Sequence, residues 1–205
     1  MNAMRYALTS SERTFKETVR EFAGRAIPAT GVRKPHGPDA SGLLCRELNK
    51  WLSAFRPAGL SRVEEAVTLE EIVRRFPESG PGLIASGLFQ ALSPDLCRAA
   101  ADLGAAQGIL APDLAGLMAP KGAALPFFQA LFDALSGVEA ARLKLYRAAI
   151  LEDVGRGDPE ESDGAGRLAK VLVREALDLK KRITTGENDE TGSPVQEGDR
   201  DGDRQ

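Results

Sequence analysis

The sequence predicts an all-α protein, a helical bundle of about six or seven helices. Apolar residues recur at steps of three and four through most of the chain. Pro- and Gly-containing breaks separate those runs at intervals that suit helices. No stretch alternates apolar and polar residues, with β-branched side chains, for long enough to be a convincing strand.

Thr9 followed three residues later by Glu12 is a capping box, and Phe15, Val19, Phe22, Ala26 and Ile27 continue at helical spacing until Pro28. A first helix over about residues 10 to 27 follows. The Pro- and Gly-rich stretch from Ala29 to Gly42 has no periodicity and reads as a surface loop. Leu44, Leu48, Trp51, Leu52 and Phe55 define a second helix, ended by Arg56-Pro57. Val63, Ala66, Val67, Leu69, Ile72, Val73 and Phe76 define a third, stopped by Pro77 and the Gly80-Pro81-Gly82 break. Leu83 to Leu92 reads as a short apolar helix of the buried kind.

Ser93-Pro94-Asp95 opens the next element, since serine caps well and proline fits the first helical position. Pro112 within it removes a hydrogen bond and is expected to kink or split it. Phe127 to Val154 carries Phe128, Leu131, Phe132, Leu135, Val138, Leu145, Tyr146 and Ile150 on a broad apolar face, with Gly137 costing about 1 kcal/mol relative to alanine. The loop GRGDPEESDG precedes a last helix bearing Leu168, Leu172, Ala176, Leu179 and Ile183. Beyond it the composition cannot bury enough apolar surface to offset ordering entropy, so residues 186–205 are expected to be a disordered acidic tail.

Composition narrows the function classes. With 205 residues of which 42% are apolar, the chain can fill a core. No apolar run approaches the roughly 18 residues of a membrane span, and no basic-then-apolar leader opens the chain, so a cytoplasmic protein without a membrane partner is expected. The net charge of −3 is uneven, because seven acidic residues and two arginines lie beyond Gly186 and leave the remainder slightly positive. No basic patch interleaves with aromatics, and the Lys180, Lys181, Arg182 cluster suits a helix C-terminus, which argues against nucleic acid. Cys45 and Cys97 are far apart and His36 is the only histidine, so no disulfide framework, multi-histidine metal site or histidine triad is indicated. Arg156-Gly157-Asp158 spells an adhesion tripeptide by loop composition.

Several segments resemble the acyl-CoA dehydrogenase family. LTSSERTFKETVREFAGRAIPA (residues 8–29) looks like the family's opening helix, and VEEAVTLEEIVRRFPESG, with Glu70-Glu71 and Pro77, like a later helix of the same domain. PFFQALFDALSGVEAARLKLYRAAILEDVG and GRLAKVLVREAL are similar to two helices of its C-terminal bundle. The resemblance implies an N-terminal helical half (1–92) joined to a C-terminal bundle half (93–185) without the β domain that family members carry between them.

In the family, an arginine and a glutamine of the C-terminal half contact the flavin of a neighbouring subunit. Gly122 and Gln129 keep the family spacing, which implies a cofactor-binding role for both, or for Gln129 a helix position kept by packing. Lys121 replaces the family phenylalanine and Met118 the arginine, so the cationic fork for a diphosphate is lost. The family's usual catalytic glutamate has no counterpart. Some members place the base near the start of the first bundle helix, which makes Asp95 the catalytic candidate, although a first-turn acid also suits the helix dipole.

The resemblance therefore implies a non-catalytic or partner-dependent subunit of a flavin-dependent acyl-CoA oxidoreductase system. Such a subunit would be a homo-oligomer or a heteromer with a full-length relative, with FAD bound through that partner and no metal. The alternatives are a dehydrogenase with residual FAD-dependent activity, or a helical protein that binds an acyl group or another apolar ligand.

Overall fold

The computed structural model describes residues 8–29, 38–56, 59–117 and 125–185. They form seven α-helices: α1 (Ser10–Ala29), α2 (Pro38–Phe55), α3 (Arg62–Arg75), α4 (Gly80–Ala85), α5 (Pro94–Leu117), α6 (Leu125–Asp153) and α7 (Pro159–Thr185). A short 3-10 turn at Pro77–Ser79 joins α3 to α4. Among the described residues there is no strand, and no helix is long and apolar enough to cross a membrane. His36, Met118, Lys121, Gly122 and the acidic tail from residue 186 lie outside the described residues.

The central element is α3. A capping box fixes its start: the Ser61 hydroxyl accepts from the Glu64 amide at 3.2 Å, and the Glu64 carboxylate accepts from the Ser61 amide at 3.0 Å. Every residue from Glu65 to Val73 is buried, so this helix is enclosed on all sides rather than along one stripe. It packs against α1, α5 and α6, while α5 and α6 also pack on α7. One contiguous core results, drawing on α1, α2, α3, α5, α6 and α7.

Two glycines allow the tightest of these contacts. Gly104 and Gly108, one turn apart on α5, face the backbone of α3, and a Cβ on either would stand 2.4 Å from the carbonyl oxygen of Glu70 or Arg74 respectively. The two helices thus meet nearly backbone to backbone. Gly137 of α6 serves a similar purpose against α7, where an added Cβ would stand 2.6 Å from a methyl of Leu172. Its helix-propensity cost is offset by that close approach.

At the edge of the bundle α1 and α2 meet through aromatic rings. Trp51 stacks on Phe22 with centroids 4.7 Å apart and on Phe55 at 5.1 Å, and the Arg56 guanidinium lies over the Phe15 and Phe55 rings. The Thr9 capping box forms as its spacing requires, with Glu12 accepting from the Thr9 amide at 2.7 Å.

Several boundaries differ from the sequence reading. The helix expected over residues 83–92 is instead α4, which begins at Gly80 because Pro81 presets the first turn and ends before Gly87, whose φ of +69° breaks the helix. Phe89 and Leu92 still reach the core, from a non-helical segment. The loop expected up to Gly42 gives way to α2 at Pro38, and the loop after α6 gives way to α7 at Pro159, each a proline in the first turn. Asp158 favours the second start by accepting from the Glu160 amide at 3.0 Å. Pro112 does not split α5, which runs unbroken from Pro94 to Leu117. Phe132, assigned to the apolar core face of α6, is 67% exposed.

Candidate functional site

The largest network of ionisable groups among the described residues surrounds the Glu70-Glu71 pair in the middle of α3. Both carboxylate side chains are fully buried. Isolated charges in such surroundings would be prohibitively costly, so their stability depends on what faces them. Three other helices supply it. Lys16 and Arg20, one turn apart on α1, face α3 from one side; Arg142 and Tyr146, one turn apart on α6, face it from another; Gln107 reaches in from α5.

Glu70 accepts from Arg142 Nε at 2.9 Å, Gln107 Nε2 at 2.8 Å, Tyr146 Oη at 2.5 Å and Lys16 Nζ at 3.4 Å. Tyr146 in turn accepts from Lys16 at 2.9 Å. Arg142 extends the network by donating to Gln107 Oε1 at 2.6 Å and by pairing with Glu139. Glu71 is held by a two-pronged contact from Arg20, with Nε and Nη2 each at 2.9 Å, by Arg74 Nε at 2.8 Å and by Lys16 at 3.1 Å.

The electrostatics follow from these contacts. Burial alone would raise the Glu70 pKa, but the Lys16 and Arg142 charges and the Tyr146 and Gln107 hydrogen bonds outweigh it and hold the carboxyl at about 2. Glu71 is lowered for the same reason, with burial opposed chiefly by Arg20 and Lys16. Burial and the Glu70 charge push the Tyr146 hydroxyl well above its ordinary value. Burial would lower Arg142, yet the neighbouring Glu70 raises it. Near neutral pH the carboxylates stay ionised and the phenol stays protonated. A general base or acid needs a pKa near the operating pH, and none of these groups has one.

A third buried carboxylate, Glu65, lies nearer the start of α3 and has different neighbours. It accepts from the backbone amides of Ala91 at 2.9 Å and Leu92 at 3.1 Å, tying down the non-helical segment before α5. With burial as the largest influence, its pKa is raised despite those bonds. Cys97 lies close by. Its thiol donates to the Phe89 carbonyl at 3.6 Å, and burial pushes its pKa up to about 11, so it stays an unreactive thiol. Among the described residues no group of three or more His, Cys, Asp or Glu could hold a metal ion.

The residues singled out in the sequence do not enter this centre. Asp95 is exposed in the first turn of α5, paired with Arg98 at 2.9 Å, and lies about 18 Å along the helix from Gln107. Gln129 is exposed near the start of α6, about 20 Å along it from Arg142. Gly122 lies outside the described residues. An exposed amide carries no charge of its own to meet a flavin diphosphate.

Glu70 and Glu71 appear in the sequence only as landmarks of the family resemblance, and Lys16, Gln107, Arg142 and Tyr146 carry no motif. A signal was present all the same. VTLEEIVRRF sets two acids between Leu69 and Ile72 in an apolar-rich run, and Lys16 sits between Phe15 and Val19 of the α1 stripe. Acids that become buried require donors facing them.

Fold and site together define an all-α bundle centred on a buried ionic clamp. Comparison with protein-family models, with curated proteins and with solved structures finds no match for this chain. The acyl-CoA dehydrogenase resemblance therefore rests on the residues quoted for it above.

Proposed function

We propose that this chain is a non-catalytic helical scaffold that acts through a partner chain, in the flavin-dependent acyl-CoA oxidoreductase setting that the sequence resemblance names. One observation supports the non-catalytic part. The densest set of ionisable groups is satisfied from within, with Glu70 taking donors from α1, α5 and α6 and held at about 2. Such a centre ties helices together, and a proton-abstracting base has the opposite design, a carboxylate poised near the working pH. Asp95, the substitute base, is solvated and paired with a neighbour on its own helix.

The test is to mix the purified protein with FAD and a saturated acyl-CoA, with an electron acceptor present, and to follow flavin absorbance and enoyl-CoA formation. Neither bound flavin nor product is expected. Tagged protein purified from its own host should bring down a full-length acyl-CoA dehydrogenase. Enoyl-CoA formed by the isolated chain would overturn the non-catalytic reading, and recovery without that dehydrogenase would overturn the acyl-CoA setting.

A further inference from the structure

The Glu70-Glu71 centre satisfies its acids but does not use all of its donors. Three cations, Lys16, Arg20 and Arg74, meet the single carboxylate of Glu71. Lys16 also serves Glu70, which Arg142 already holds. Four cations thus surround two buried carboxylates. Of the four, only Arg142 also pairs with Glu139, so the remaining surplus of positive charge falls at the Glu71 end.

Arg20 and Arg74 present that surplus to solvent in a fixed arrangement. Arg20 uses Nε and Nη2 on the two oxygens of Glu71, and Arg74 uses Nε on Oε2, the oxygen that Arg20 Nε also meets. One buried oxygen therefore sets a guanidinium of α1 and a guanidinium of α3 side by side. Among the described residues, Arg20 Nη1 and both terminal nitrogens of Arg74 have no partner. The two side chains are 45% and 34% exposed, while the carboxylate that holds them is closed off from solvent.

Two cations held together repel, and the Glu71 charge they share offsets only part of that repulsion. A second anion on their outer side would offset the rest. Arginine forks bind oxyanions through paired N–H donors, and ordering such long side chains is normally an entropic cost of doing so. Here Glu71 has already ordered them. A carboxylate has two oxygens, which one fork occupies, whereas a phosphoryl group turns three acceptor oxygens outward and can meet both forks at once.

We infer that the outer faces of Arg20 and Arg74 form a binding site for a phosphoryl oxyanion, with Glu71 holding the two forks in place. The site goes beyond the scaffold reading and does not depend on it. Its ligand is free phosphate or the phosphate of a larger molecule.

The test is proton–nitrogen NMR of the arginine Nε–H groups in the full chain, titrated at fixed ionic strength. Inorganic phosphate should shift the Arg20 and Arg74 signals together and saturably, with half-saturation at about 10 mM or below. Arg98, exposed on α5 and paired with Asp95, should not respond. Phenyl phosphate is titrated in parallel: binding at least tenfold tighter than inorganic phosphate assigns the site to phosphate esters, and equal or weaker binding assigns it to the free ion. Acetate should bind at least tenfold more weakly than inorganic phosphate.

Arg20→Lys keeps a cation for Glu71 but removes the outer fork, so affinity read at Arg74 should fall at least tenfold, and Arg74→Lys read at Arg20 should do the same. Arg167→Lys, on the exposed side of α7, should leave affinity unchanged. Circular dichroism checks that each variant folds, and the wild-type titration decides alone where one does not. Arg20 and Arg74 signals that ignore phosphate, that move no more than that of Arg98, or that respond equally to acetate would overturn the inference, as would an affinity indifferent to both lysine variants. None of these outcomes bears on the flavin and co-purification results, so the two readings fail separately.

Discussion

Glu65 and Glu70 lie five residues apart on the same enclosed helix, yet their surroundings push them in opposite directions. Both lose water. Glu70 gains two cations and two neutral donors from three other helices, whereas Glu65 gains two backbone amides from a single segment. Formal charges close at hand more than restore what burial removes, and amide dipoles do not. Burial of a carboxylate therefore says little about its state, because the groups facing it decide the outcome.

Neutralising each carboxylate in turn should separate the two cases. Glu70→Gln leaves Lys16 and Arg142 facing an uncharged amide inside the core, and removing one partner of a buried ion pair costs roughly 3–5 kcal/mol. Urea denaturation should show that loss as a lower midpoint. Gly104→Ala attacks the same centre through the backbone: its Cβ would meet the Glu70 carbonyl at 2.4 Å, forcing α5 away from α3 at a cost of about 1–3 kcal/mol in the same assay. Glu65→Gln should cost no more than about 1 kcal/mol, since the amide oxygen can still accept from Ala91 and Leu92 and the burial penalty on the charge is relieved. Smallest of all, Asp95→Ala on the solvated end of α5 should change stability by about 0.5 kcal/mol or less. If the two Gln variants cost the same, the contrast between the two carboxylates fails.

Acid should sharpen the contrast. A carboxyl lowered in the folded state stabilises the fold above its unfolded value and loses that contribution as pH falls through its folded value. For Glu70 the window runs from the ordinary 4.5 down to about 2, and Glu71 titrates in the same sense. Glu65 works the other way. Its ionised form burdens the fold at neutral pH, and the burden lifts as pH falls through its raised value. A stability profile by denaturant midpoint should therefore fall steeply below pH 4.5 in the native chain and much less in Glu70→Gln.

The helices themselves were legible because periodicity and capping residues act locally. Thr9 with Glu12, and Ser93 with Pro94, state where helices begin without reference to anything distant. The misplaced starts share one cause: Pro38, Pro81 and Pro159 each lie in the first turn of a helix, and a proline in a Gly-rich stretch reads equally as loop or as first turn. The charged centre was harder to see. Its helices are tied by contacts between residues 35 to 130 positions apart, and no local pattern records that Lys16 meets Tyr146 or that Gln107 meets Glu70. What the sequence did contain was two acids enclosed by apolar neighbours. That condition announces a buried pair without naming its partners.

The central claim is that the Glu70 centre is a clamp satisfied from within and not a poised base. Following the Glu70 side-chain carboxyl by carbon-detected NMR through an acid titration of the folded protein tests it most directly. A midpoint near 2 is expected, shared with no group that titrates near neutrality. A midpoint at or above the ordinary 4.5 would show a carboxylate that its cations do not hold, and would contradict the account.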